Sequence, residues 1–361
     1  MKIKCAKSEQ VTISLLQFSG EAIEIQKLHQ LCLACQVTLF QVGPEWVGQF
    51  SIFQLYFIEA HWATYFGQEN ATLRQLRQQR QLLWVGPSFK FDLTVAPIIY
   101  AIINCTPDSF YDGQPSQQLD QIMLKIEADL ANGATVIEVG GKSTRPGFQE
   151  LTADEEWQRI APVIKAVQQE WPAVTLAVDT NNAEVMHRAV ISGVPILNDI
   201  DGFNQADKLA VVMQSQASVV TMYNGRHFTA DTFETLDQFY QTTLAALTAA
   251  GLVRQQIALD PGVGFSYARN TASLDLFKIK SVTATQRYQT PIMAAISRKS
   301  FMEKRFNYPM DDRLTATLLF EQLMVEQGAR ILRVHDVAAT QKMLHLVEGY
   351  QQANLLMAAQ G

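Results

Sequence analysis

From about residue 98 the chain repeats one theme, a short run of apolar, largely β-branched residues followed by a longer amphipathic stretch. Eight such runs occur, at 99–104, 135–140, 175–179, 196–198, 218–222, 257–260, 292–297 and 331–334. Strands that are apolar throughout, rather than at every second position, suit a parallel sheet buried on both faces by helices. The intervals supply those helices. In the first, Leu119, Ile122, Met123, Ile126 and Leu130 recur at three- and four-residue spacing, with Gly133 where a helix C-cap is expected. In the second, Thr152 and Glu155 frame a capping-box pattern ahead of Ile160, Ile164 and Val167 on one face. Eight strand–helix units over roughly 250 residues match a closed (β/α)8 TIM barrel. An open doubly wound sheet usually has fewer strands and often a glycine-rich phosphate loop after the first. Here that segment reads NCTPDSFYDG (104–113), with neither GxGxxG nor GxxxxGK[ST].

The 361 residues exceed what one core usually takes, so an appendage to the barrel is expected. We assign 1–81 to an N-terminal α/β extension of unknown role and 82–361 to the barrel domain, with a hairpin at 82–94 and the barrel proper at 98–361. The hairpin follows from short strand-like runs at 82–85 and 89–93 around Gly86, Pro87 and Ser88. The extension reads as helical and glutamine-rich at 23–36 and 73–81, with no chemical constellation.

Composition narrows the function. A hydrophobic share of 48% with 18% charged residues excludes a disordered chain, and a net charge of -6 argues against nucleic acid and anionic membrane as partners. No uncharged apolar run reaches the ~18 residues of a membrane span, and no secretory leader is readable, so a cytoplasmic location is expected. Four cysteines are too few for a disulfide scaffold; Cys32 and Cys35 have CxxC spacing but no second pair, and read as structural thiols in an apolar helix. His29, His61, His187, His227 and His345 form no pattern and are assigned to surface or packing.

In a TIM barrel the active site lies at the C-terminal strand ends, and polar residues gather there. Run 1 leads into Asn104, run 2 into GGKSTRPG (140–147), run 3 into Asp179, run 4 into Asn198 and Asp199. Run 6 ends in DPGVGF (260–265), run 7 in SRKS (297–300), run 8 in Arg333 and His335. Each alone is as readily a helix cap, but seven on one rim are not explained by capping. Asp179, Asn198 and Asp260 offer acceptors; Arg145, Lys299, Arg333 and His335 offer cationic donors, and Asn104 and Thr144 neutral ones. A flat ring with an N–C(NH2)–N edge and a phosphate-like group complements both sets; a pterin or a guanine diphosphate has that shape.

These segments, with VDT (178–180), LNDI (197–200) and RVHDV (333–337), resemble the motifs of dihydropteroate synthases, in that family's order, over roughly 95–345. SRKS together with RVH separates the synthases from related pterin-dependent methyltransferases. The resemblance implies a folate-pathway transferase that condenses 6-hydroxymethyl-7,8-dihydropterin diphosphate with 4-aminobenzoate, uses Mg2+, forms a homodimer through barrel helices and is a sulfonamide target. Asp179, Asn198, Asp260 and Lys299 would hold the pterin, with Met222 and Phe265 in its walls. Asn104, Arg145, Arg333 and His335 would hold the diphosphate, Asn104 also serving the metal. Phe110, Thr144, Pro146 and Ser300 would shape the aminobenzoate site. Asp179, Asp260, Lys299, Arg333 and His335 would carry catalysis by stabilising an SN1-like path at both ends. Several positions depart from the family pattern: Tyr111, Glu138 for Asp, Lys142 for Glu, Asn182 for Lys, Ser266 and Tyr267 for Gly-Lys, and Ala295 for Gly. They motivate an alternative, a pterin-binding paralogue with weak or no synthase activity.

Overall fold

The computed structural model describes residues 1–6, 13–106, 115–142, 151–225, 232–265 and 272–358. The N-terminal unit runs β1 (Lys2–Ala6), β2 (Ile13–Ser19), α1 (Ala22–Ala34), β3 (Leu39–Val42), β4 (Glu45–Ser51), α2 (Ile52–Phe66) and α3 (Ala71–Gln79). Its strands form one antiparallel sheet in the order β1-β2-β4-β3. Leu16, Phe18 and Phe50 alternate with polar or exposed neighbours and pack with Leu28, Leu31 and Cys32 of α1 and Leu55, Ile58 and Trp62 of α2. The helical texture expected at 23–36 and 73–81 is there, and the four strands of this α/β extension, whose positions the sequence reading did not assign, lie outside those stretches. Their period of two extends over only four to seven residues, each strand beside a helix or a turn.

β5 (Leu83–Gly86) and β6 (Phe89–Asp92) pair as a two-stranded antiparallel hairpin. The barrel strands follow: β7 (Ile98–Asn104), β8 (Ala134–Gly140), β9 (Thr175–Asp179), β10 (Ile196–Asp199), β11 (Ser218–Met222), β12 (Ile257–Asp260), β13 (Met293–Ala294) and β14 (Ile331–Val334). Seven parallel pairings run through the order β12-β11-β10-β9-β8-β7-β14-β13, and a parallel bridge between Leu259 and Ile292 closes the ring. Its helices are α4 (Pro115–Ala131), α5 (Ala153–Glu170), α6 (Ala183–Ile191), α7 (Ala206–Ser215), α8 (Phe233–Ala249), α9 (Ala272–Lys280), α10 (Val282–Thr285), α11 (Phe301–Phe306), α12 (Arg313–Glu326) and α13 (Val337–Ala358). α1 of the N-terminal unit lies against α13.

Local chemistry sets these boundaries. Thr152 Oγ1 accepts from the Glu155 N–H at 3.2 Å while the Glu155 carboxylate accepts from the Thr152 N–H at 2.8 Å, the reciprocal box read from the sequence. Gly133 follows α4 at φ +95°, where a side chain would be strained. The seventh run is shorter than expected. Only two residues pair as a strand before the chain turns through Arg298, held at φ +54°.

Two cores result from the alternation of strand side chains. One lies between strands and helices and includes Ile103, Val139, Val178, Leu197, Leu259 and Val334. The other fills the barrel near its strand starts, where Trp84 and Leu93 of the hairpin segment pack against Tyr100, Val136, Ile196 and Ile331. The hairpin therefore seals the end of the barrel opposite the polar rim, with Trp84 fully buried and its ring 6.3 Å from that of Tyr100.

Candidate active site

The inward side chains near the strand starts are apolar: Tyr100, Val136, Ala177, Ile196, Val220, Ala258, Met293 and Ile331. Two residues along each strand, the next inward layer reads Ile102, Glu138, Asp179, Asn198, Met222, Asp260, Ala295 and Arg333. Register ties this layer together. Gly140 pairs with Asp179, Asp179 with Asn198, and Met222 with Asp260. The barrel thus changes from an apolar plug to an ionisable floor within one strand repeat.

Glu138 organises that floor. It is 1% exposed, and its Oε2 accepts from Asn198 Nδ2 at 2.9 Å. Its Oε1 accepts from Arg333 Nε at 2.7 Å, while Arg333 Nη2 bonds both Glu138 and, at 2.6 Å, Asp179 Oδ2. One guanidinium thus serves two carboxylates. Burial, opposed by Arg333 and reinforced by the Glu138 charge, raises the Asp179 pKa to about 7.

Across the mouth, Asp260 accepts from the Gly262 N–H at 2.7 Å. Burial raises its pKa, against the pull of Lys299, that N–H and Arg333. The half-buried Lys299 donates from Nζ to the Val263 carbonyl and stands 4.5 Å from the Phe265 ring centroid. Burial first, then Arg333 and Lys278, lower its pKa to about 8, opposed by Asp260 and Asp275. Asp260 and Arg333 are electrostatic neighbours, as convergence on one opening requires.

The outer rim is built by the segments after β13 and β14. Ser297 Oγ accepts from the His335 N–H at 3.2 Å and lies 3.1 Å from the ring Nδ1. Arg298 forms a bidentate pair with Asp336, at 2.7 and 2.9 Å, which joins the two segments and holds the strained Arg298 backbone. His335 is exposed at the rim; desolvation of its inner side, then Arg333, lower its pKa to about 4. Ser300 is exposed at the start of α11, and Asn104 is exposed at the end of β7.

Of the residues singled out in the sequence, Asp179, Asn198, Met222, Asp260, Phe265, Lys299 and Arg333 line this mouth, with Asn104, His335 and Ser300 at its edge. Phe110, Thr144, Arg145 and Pro146 lie outside the described residues, as do Tyr111, Ser266, Tyr267 and His227. Asp199 points away from the mouth and pairs with the buried Lys208 at 2.9 Å. Asn224 donates to the Ile200 carbonyl at 2.7 Å and to Asp201 Oδ1 at 3.2 Å. Asn182 caps α6. Glu138, noted in the sequence only as a departure, is a central member of the site. Its signal was there: it stands two residues past Val136, in the inward register that also carries Asp179.

The family model for pterin binding enzymes matches residues 100–335. The dihydropteroate synthase of Escherichia coli K12 is 31% identical over 261 residues, covering 70% of this chain and 91% of that protein. The synthase of Bacillus subtilis is 33% identical over 275 residues, covering 75% and 94%. The solved dihydropteroate synthase of Xanthomonas albilineans with 4-aminobenzoic acid superposes with a TM-score of 0.69 at 27% identity, over 75% of this chain and 98% of that one. An acid-and-amide floor under a cationic rim, within a barrel that these synthases share along almost their whole length, places the chain in the dihydropteroate synthase family.

Proposed function

We propose that the protein is a working dihydropteroate synthase, joining 6-hydroxymethyl-7,8-dihydropterin diphosphate to 4-aminobenzoate to give 7,8-dihydropteroate and pyrophosphate. The observation that carries this reading is the meeting of Asp179, Asn198, Asp260, Lys299 and Arg333 in one barrel mouth. The two carboxylates accept from the amino and N–H edge of the ring, Asn198 donates and accepts, and Lys299 donates to a ring acceptor. Phe265 and Met222 supply apolar walls. The C–O bond to the diphosphate breaks, its electron pair leaves with the diphosphate, and a C–N bond forms from the amine lone pair with loss of one amine proton. Arg333 and His335 stabilise the leaving anion as donors, and Asp179 and Asp260 stabilise the electron-poor ring. The aromatic amine is already neutral, so no strong base is required. Phe110, Thr144, Pro146 and Ser300 would border the aminobenzoate, and Arg145 the diphosphate.

The donor set fits Mg2+ held chiefly by the substrate. Mg2+ prefers oxygen ligands, keeps several waters and usually takes phosphate oxygens. Asn104 offers one carboxamide oxygen at the rim, and among the described residues no group of three His, Cys, Asp or Glu side chains forms a cage. When bound, the ion neutralises diphosphate charge. Among the described residues no helix is long and apolar enough to cross a membrane. A homodimer through α12 and α13 would cover Leu319, Leu323 and Leu346, which are exposed there; light scattering of the purified chain tests it.

Purified protein given both substrates and Mg2+ is expected to release pyrophosphate and dihydropteroate in equal amounts; no product at high enzyme concentration overturns the reading. A second reading, a paralogue that binds the pterin diphosphate without coupling it, is favoured by the engagement of Arg333 by Glu138 and Asp179. Calorimetry showing tight pterin diphosphate binding without turnover selects it.

A further inference from the structure

We propose that α9 is a positioning element of the site, in which the buried pair Asp275 and Lys278 clamps the turn after β12 and so sets both the Phe265 wall and the ammonium of Lys299. The inference rests on the synthase reading for its consequence in catalysis, but the clamp itself is a property of the free protein.

The turn 261–265 carries one backbone bond of its own, from the Phe265 N–H to the Gly262 carbonyl at 3.1 Å. Gly262 and Gly264 hold φ of +68° and +84°, and a Cβ at Gly262 would run into the Tyr223 carbonyl. Four side chains outside it hold its other bonded groups. Asp260 and Lys299, which face the mouth, take the Gly262 N–H and the Val263 carbonyl. Asp275 and Lys278, which come from α9, take the rest. Asp275 Oδ1 accepts from the Gly264 N–H at 2.6 Å, and Lys278 Nζ donates to the Gly262 carbonyl at 3.0 Å and to the Phe265 carbonyl. The ammonium of Lys278 also stands 5.1 Å from the Tyr223 ring centroid.

Both α9 residues are 1% exposed. Burying charge is costly, and a turn that needed only shape could be anchored by neutral groups. Charge at these positions does something shape cannot: it acts on Lys299. The groups that bear on Lys299 are Asp260 of β12, Arg333 of β14, and Asp275 and Lys278 of α9. Lys278 works against the Lys299 proton and Asp275 in its favour. The clamp therefore governs where Lys299 stands and how readily it keeps its proton, and neither member touches the mouth.

The test uses the full chain and the variants K278M, K278R and D275N. The Lys299 Cε resonance, assigned with K299R, is titrated by 13C NMR in the free protein. K278M is expected to move the Lys299 pKa up from about 8 and D275N to move it down, while K278R stays with the parent. Opposite shifts are the signature of two charges acting on a third. Lys299 unmoved in folded K278M and D275N overturns the proposal, and D275N alone decides the matter where K278M does not fold. The catalytic consequence is read separately. K278M is expected to raise the KM for the pterin diphosphate by on the order of 10- to 100-fold, as a displaced contact would, with the KM for 4-aminobenzoate unchanged. A synthase that fails to turn over leaves the NMR result standing. An NMR shift without a KM change confines the clamp to protonation and overturns its positioning role.

Discussion

The N-terminal unit and the barrel are both well packed, yet they treat polarity in opposite ways. Among the described residues of 1–81, Ser14 is the one buried polar side chain, and the core is Leu, Phe, Trp and their like. The barrel buries Glu138, Asp199, Lys208, Asp260, Asp275 and Lys278 among others. Burying a charge opposes folding unless partners offset it. Burial pushes the mouth groups toward their neutral forms, which is the same opposition. Asp179 holds its proton up to about 7, so the unfolded chain loses that proton first, and this group removes stability as pH climbs from the ordinary carboxylate range to about 7. Lys299, lowered to about 8, withholds stability below about 8 and returns it as pH rises toward the ordinary lysine range. The N-terminal unit keeps an apolar core; the barrel mouth keeps an arrangement that packing would reject.

That contrast can be broken. Lys299→Ala is expected to cut kcat/KM by roughly 10^2–10^3, the usual effect of removing one preorganised donor, with the melting temperature retained. Unchanged turnover would remove Lys299 from the site. Glu138→Gln should cost on the order of 10- to 100-fold, the worth of one charge-assisted bond of about 1.5–3 kcal/mol. Because Glu138 raises Asp179, the acid limb of the pH profile should also move down; a fixed limb would separate the two carboxylates. In the parent enzyme kcat/KM should rise through about pH 7 as Asp179 becomes an acceptor and fall past about pH 8 as Lys299 loses its donor proton. Each limb should change by about tenfold per pH unit. A profile flat from pH 6 to 9 would contradict both assignments. In the N-terminal unit Phe18→Ala should cost ~3–5 kcal/mol of its stability and leave kcat/KM unchanged; a parallel loss of turnover would mean that contact through α1 and α13 reaches the site. The smallest effect is expected from thiol alkylation. Burial raises the Cys32 pKa, and that of Cys35 to about 12, so neither should react at neutral pH.

The barrel was legible because each of its strands is apolar on both faces and helix-length intervals separate most of them. Its mouth was legible because strand ends carry their polar residues at motif spacing. What escaped did so for physical reasons. Glu138 lies inside a strand rather than after it, paired with Ala177 while Gly140 pairs with Asp179, so a search of strand ends passes it by, although it faces inward as Asp179 does. Asp275 and Lys278 sit on a helix and act through backbone groups of another segment, a contact that no local pattern encodes. The four N-terminal strands are short, and the buried Ser14 and exposed Leu15 blur the alternation of β2.

Trp84, seated beneath Tyr100, has a consequence for traffic. With that end stoppered, whatever settles on the acids must enter and depart through a single aperture. A ligand seated on the acids would therefore have to arrive ahead of any that lies between it and solvent.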